Sequence, residues 1–390
     1  MQKKYPIEKY LLFIIYFIIT TVIFFISIQI GNEGVSIQLF GGGDDGELYW
    51  QEAKRIADGQ DPLVVTSIYI PIIGWLLKIV GIKSAYVIRI FNSIGFILLV
   101  NYAFKMNEII WSKHKLNISF SAIRKSRRIL VLFFCCYLSM VMNVNFSIYR
   151  DIWIYLFYLV ATILSIDTVI YKKYRLGNLI KLVIVALLLG GFRGYALVSF
   201  IIGVGVYLLI HQVKILKKKT VIITVIILSA FIGYTFFKDY DIPYINMSLQ
   251  DALMYRNSAV EGNYGGGSQM MITLNQPNFV GFITNYLHSY LGNLLGPLPW
   301  HIKGISVMIV FCFETIPMLF MLRVLWKKRV NLGAIEKYIL CQAFTWISLI
   351  AITNDNIGTG TRLRVVGWVL IGIVFSVTYT TKLRQTANGF

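Results

Sequence analysis

"PLVVTSIYIPIIGWLLKIVG", residues 62–81, is apolar enough to pass for a membrane-spanning helix. Whether it crosses decides the side on which every later loop falls. About 20 apolar residues cover the ~30 Å hydrocarbon core of a bilayer, so length alone admits it. Pro71, Gly74 and Lys78 argue against a lipid-facing span, because an interrupted or charged helix at membrane depth needs protein or water around it. The charge on the flanking segments gives a second, independent test.

Working outward, ten other apolar segments lie at about 11–30, 84–104, 129–148, 152–171, 179–192, 195–212, 220–237, 304–325, 334–353 and 365–382. Of the 37 Lys and Arg, 25 fall in 1–10, 105–128, 172–181, 211–219, 323–337 and 382–390, where Glu8, Glu108 and Glu336 are the only acids. The alternate segments hold 13 acids. Cytoplasmic loops carry the excess of basic residues, so both termini are expected in the cytoplasm. Counting 62–81 as a crossing would break this alternation for every later loop. It therefore reads as an interfacial or re-entrant helix on the outer leaflet, with 84–104 as the second crossing.

The expected fold class is all-α: one polytopic integral domain, 1–390, of about ten transmembrane helices in the plasma membrane. Composition agrees, since the chain is 57% hydrophobic and 14% charged, whereas soluble domains carry about a quarter charged residues. The net charge of +19 is then a topology signal, not a nucleic-acid footprint. The first apolar run is too long for a signal peptide and lacks a small-residue cleavage site, so it is expected to stay as a helix. Cys135, Cys136, Cys312 and Cys341 all lie inside apolar runs without C-x-x-C spacing, which argues against disulfides and structural zinc. The four histidines are scattered.

This topology gathers the polar features on one face. "FGGGDDGELYWQEAKRIADGQDP" (40–62) brings Asp44, Asp45 and Glu47; "YRD" (149–151) brings Arg150 and Asp151; "GGFRGY" (190–195) turns tightly at Arg193. The longest loop, 238–303, contributes Arg256, and "NDNIGTGTRLR" (354–364) contributes Arg362 and Arg364. An arginine at membrane depth costs ~2.5–3.5 kcal/mol on insertion scales and marks a polar cavity or substrate path. Guanidinium forks bind phosphate oxygens in pairs, glycine-rich backbone presents N–H groups to the same anion, and a nearby carboxylate accepts a proton from an attacking hydroxyl. Such a face suits a lipid-linked sugar phosphate, with 62–81 and 279–300 as apolar walls for the lipid chain.

Plainer readings stand beside these. Asp44 and Glu47 have capping-box spacing for a helix at 45–58, and Gly59 reads as its stop. Arg150 and Asp151 have the spacing of an ion pair closing a hairpin. "NYGGGSQ" (263–269) reads as a linker, and Asp167 as structural near a span end. Glu314 lies mid-span with no basic residue near it in sequence, and reads either as a functional site or as a hydrogen-bonded core residue.

"DDGELYWQEAKRIADGQDP…YIPIIGWLLKIVG" resembles the first outer loop of the GT-C class of integral membrane glycosyltransferases, where an acidic pair or single Asp is followed by interfacial helices. The resemblance implies that Asp45 or Asp44 is the catalytic carboxylate and that the donor is a polyprenyl-phosphate- or polyprenyl-diphosphate-linked sugar, with a glycan acceptor. Arg193, Arg256, Arg362, Arg364 and Arg150 are the candidate phosphate ligands. The expected fold departs from the usual GT-C pattern in being short, with about ten spans and no soluble C-terminal domain expected. "SIYRDIWIYLF", "FRGY", "GPLPW" and "NIGTGTRLR" are similar to features of Wzy-like repeat-unit polymerases. A lipid-linked glycan flippase is the alternative from another class. Paired carboxylates suit a divalent ion such as Mg2+ or Mn2+, although nothing in the sequence requires one.

Overall fold

A computed structural model of the chain describes residues 7–37, 45–113, 119–215, 228, 231–241, 248–261 and 269–381. Its elements in chain order are α1 (Ile7–Gln29), α2 (Asp45–Ala57), α3 (Tyr69–Val80), α4 (Ala85–Lys113), α5 (Phe120–Cys136), α6 (Leu138–Asn145), α7 (Asp151–Val169), α8 (Leu176–Phe192) and α9 (Gly194–Ile215). They continue with α10 (Leu249–Glu261), α11 (Phe279–Leu295), α12 (Ile305–Lys327), α13 (Ala334–Thr353), α14 (Ile357–Leu363) and α15 (Val365–Thr380). No β-strand occurs among the described residues beyond an isolated bridge between Gln269 and Asn356.

Among the described residues, five helices, α1, α4, α7, α12 and α13, are long and apolar enough to cross a membrane. Two bent pairs, α5 with α6 and α14 with α15, raise the number to seven if each pair is one span. α15 and α7 form the centre: every residue of α15 from Val365 to Thr378 is buried, and α7 is buried over most of its length. α1 and α12 lie at the periphery with Ile, Leu and Phe side chains exposed.

The 62–81 stretch folds as α3, twelve residues long, or about 18 Å at 1.5 Å per residue. That is too short to cross a ~30 Å core, and α3 packs along α2 instead. Their close approach requires Gly74, because a Cβ there would lie 2.6 Å from Ile56 Cβ. α2 ends where expected, with Gly59 at φ +78° and Gln60 N–H donating to Arg55 O.

Several predicted spans differ in form. The single helix expected at 129–148 is broken at Tyr137, with a 61° bend between α5 and α6. The span expected from 365 follows a 53° bend at Arg364 that sets α14 apart from α15. The 84–104 helix runs on to Lys113. α12 contains a π-helical turn, Phe311–Thr315, just before Pro317; helix distortions commonly sit at such positions. The expected span 220–237 and the 263–269 linker lie largely outside the described residues.

Several helix ends are tied to one another. Glu8 pairs with Arg128 and Glu108 with Arg127, both at 2.9 Å. Lys328 Nζ donates to the Thr378 and Thr381 carbonyls. These contacts join segments assigned to one side, and the loops assigned to the other side meet at the cluster described next.

Candidate functional site

Four helix ends converge. Asp45 is the first residue of α2 and Asp151 the first of α7, where the positive end of each helix favours an anion. Arg193 caps the C-terminus of α8 and Arg362 lies in the last turn of α14, where a cation is favoured. Each charge thus suits its own helix before it meets a partner.

Together they form a chain of ion pairs. Arg362 Nη2 donates to Asp45 Oδ2 at 2.6 Å, and Arg362 Nε lies 3.4 Å from Asp151 Oδ2. Arg193 Nη1 donates to Asp151 Oδ1 at 3.1 Å. Asp151 Oδ2, Arg362 Nε and Arg150 Nε are buried atoms that make no hydrogen bond. Three guanidiniums, those of Arg150, Arg193 and Arg362, stand against the carboxylates of Asp45 and Asp151, which leaves the described cluster net positive. Aromatic faces line it: Arg362 lies over Tyr149 at 4.7 Å, Arg193 over Tyr195 at 4.9 Å and Arg150 over Tyr49 at 5.7 Å.

The surrounding network explains why these residues hold their places. The Tyr69 hydroxyl donates to Ile148 O at 2.9 Å, and Asn92 Nδ2 donates to Tyr149 O at 3.0 Å. These bonds fix the backbone that delivers Asp151. Ile68 N–H donates to Gly191 O at 3.0 Å, tying the start of α3 to the end of α8 beside Arg193. Arg150 Nη1 donates to Thr66 O at 3.1 Å, and the Tyr155 hydroxyl donates to Arg362 O at 2.8 Å. α2 is anchored at Glu33, which accepts from Trp50 Nε1 at 2.6 Å and Lys54 Nζ at 2.8 Å. The Lys54 and Trp50 donors hold the Glu33 carboxyl below its usual range. Burial pushes the Tyr49 and Tyr69 phenols well above theirs, so both remain neutral.

The predicted phosphate ligands divide into two groups. Arg193, Arg362 and Arg150 belong to the cluster. Arg256 does not: it is 0% exposed and donates to Ile272 O, Ser289 Oγ, Ala351 O, Asn354 O and Asp355 Oδ1. Its guanidinium is taken up by the protein and knits α10 to the end of α13. Arg364 is 1% exposed, donates to Glu314 Oε2 at 2.5 Å and to Gly296 O, and stacks on Trp368 at 4.2 Å. Both arginines are therefore enclosed by protein partners.

Glu314 is accounted for in the same way. Its carboxylate also accepts from Ser139 N and Ser139 Oγ at 2.5 and 2.9 Å. It satisfies backbone left open where α6 begins after the Tyr137 break. Arg150 and Asp151 do not close a hairpin together, because Asp151 pairs with Arg193 and Arg362. Asp44, the other half of the acidic pair, lies outside the described residues. Asp151, which the sequence reading placed on this face but paired with Arg150 and left out of the candidate site residues, is the buried carboxylate of the cluster. Its signal was an aspartate opening a long apolar run at the tip of a loop. Comparison of the chain with protein-family models, with curated proteins and with solved structures gave no match.

Proposed function

We propose that the protein is an integral membrane glycosyltransferase of GT-C type, working at the outer face of the plasma membrane on a polyprenyl-phosphate- or polyprenyl-diphosphate-linked sugar. The observation that supports this reading most directly is the net-positive Asp45–Arg362–Asp151–Arg193 cluster, set where helix ends meet in an apolar bundle. The acceptor hydroxyl attacks the anomeric carbon of the donor sugar, and the bond from that carbon to the phosphate oxygen breaks. The proton passes to Asp45, and the departing phosphate is neutralised by Arg193, Arg362 and Arg150. Guanidiniums aimed at a leaving phosphate act where charge develops, which is where electrostatic help is greatest. The product serves cell-surface glycan assembly.

The test is a gel of surface glycan from a deletion strain complemented with wild type or with Asp45→Asn. Loss of the carboxylate is expected to lower transfer by roughly 10²–10⁴-fold at normal protein level. Full complementation by Asp45→Asn would remove Asp45 as the base. Collapse of a ladder to one repeat unit favours the Wzy-like polymerase form of this reading, and a ladder of normal length lacking one sugar per repeat favours single-sugar transfer. A flippase expects charged residues along a path at the bilayer midplane, whereas Glu314 is engaged by Arg364 and Ser139.

A further inference from the structure

The two carboxylates of the cluster are held unequally. The Asp45 side chain is 45% exposed and accepts from Arg362 Nη2. The Asp151 side chain is 2% exposed and lies between two guanidiniums, Arg193 on Oδ1 and Arg362 beside Oδ2. A buried carboxylate that gives up its partners gains no water in exchange, whereas an exposed one does. An incoming anion therefore competes far more easily for the Asp45 side of Arg362 than for the Asp151 side.

We propose that Asp151 is the fixed positioning residue that holds Arg193 and Arg362 as the two arms of a phosphate clamp, and that the phosphate of a polyprenyl phosphate displaces Asp45 from Arg362. This rests on the glycosyltransferase reading of the same site. Three features of the cluster support the division. Arg362 reaches Asp45 with Nη2 and faces Asp151 with Nε, so one ligand can be exchanged while the other stays. Arg362 Nε makes no hydrogen bond, so donor capacity remains on the guanidinium that closes the clamp. The elements that carry Asp151 and Arg193 are held by the Tyr69 hydroxyl on Ile148 O, Asn92 Nδ2 on Tyr149 O and the Ile68 N–H on Gly191 O.

The exchange has a chemical consequence. While Asp45 is paired with Arg362, its Oδ2 is occupied by the Nη2 donor. Displacement by phosphate releases the carboxylate to accept the acceptor's proton. The resting ion pair thus keeps the base idle until donor is bound, and donor binds before acceptor is activated.

The full-length protein in detergent is titrated with undecaprenyl phosphate, with undecaprenol and inorganic phosphate as comparisons, alongside thermal unfolding of every variant. Asp151→Asn is expected to bind undecaprenyl phosphate roughly 10–100-fold more weakly, the scale of loss for a displaced positioning group. Asp151→Glu is expected to recover part of that loss. Asp45→Asn, although inactive, is expected to bind as tightly as wild type or more tightly. Wild-type affinity in a folded Asp151→Asn overturns the positioning role. A tenfold weakening in Asp45→Asn overturns the exchange, and this arm decides the matter if Asp151→Asn does not fold. Equal binding of undecaprenol and undecaprenyl phosphate by wild type would instead overturn the glycosyltransferase reading beneath it. Inorganic phosphate competing at equal concentration would assign the clamp to free phosphate and overturn the lipid as its ligand.

Discussion

Arginines that look alike in the sequence perform different work here, and the difference lies in their partners. Arg362 and Arg364 are two positions apart, yet one faces the cluster while the other is sealed against Glu314, Gly296 O and Trp368. Residue type told the sequence reading that each could bind an anion. It could not supply the partner, which for Arg362 lies 317 residues away and for Arg256 lies 99. The consequence is testable at Arg364. Removing one member of a buried pair strands the other charge and typically costs about 3–5 kcal/mol, whereas replacing both with apolar groups is often neutral. Arg364→Met and Glu314→Leu are each expected to lower the unfolding midpoint in detergent strongly, and the double variant to recover most of the loss. Additive losses in the double variant would show that the two residues act independently.

At the scale of elements, the site depends on how closely α2 and α3 lie together. Gly74 meets Ile56 at Cβ and Cγ2, 2.6 and 2.8 Å from where its own Cβ would be, so no flexible chain end can yield. Gly74→Ala is expected to separate the two helices at a cost of about 1–3 kcal/mol, as overpacking does. It should shift Asp45 relative to Arg362, with transfer falling by up to roughly 10²-fold. Gly177→Ala in α8, where nothing lies within 4 Å of the added Cβ, is the matched control and is expected to leave surface glycan unchanged. Equal effects from the two substitutions would detach Asp45 placement from α2–α3 packing. The existence of α2 and α3 was legible, because amphipathic spacing, Gly59 and the charge alternation all point to them. The breaks at Tyr137 and Arg364 were not. The first sits in an unbroken apolar run and the second where a polar loop meets one, and each is accommodated by contacts from a distant helix: Glu314 at the start of α6, and Trp346 Nε1 donating to Leu363 O.

For the whole molecule, charge asymmetry carried more information than hydropathy. Hydropathy alone would have made 62–81 a crossing and placed Asp45 and Asp151 on opposite sides. The alternation of Lys and Arg assigned Asp45, Asp151, Arg193 and Arg362 to one face, and their contacts agree with that assignment. Contact fixes which loops share a face; the compartment each face sees follows from the positive-inside rule and can be measured. In a background with Cys135, Cys136, Cys312 and Cys341 replaced by serine, single cysteines are introduced at Leu63, 75% exposed after α2, and at Tyr174, 68% exposed before α8. Intact cells are treated with a membrane-impermeant maleimide before and after permeabilisation. Leu63→Cys is expected to react in intact cells and Tyr174→Cys only after permeabilisation. The reverse pattern would put the arginine cluster in the cytoplasm, where the donor phosphate would have to be met from the opposite leaflet. Labelling of both positions in intact cells would place 62–81 and the 172–181 segment on one side, requiring an even number of crossings between them in place of the odd number that the charge pattern demands.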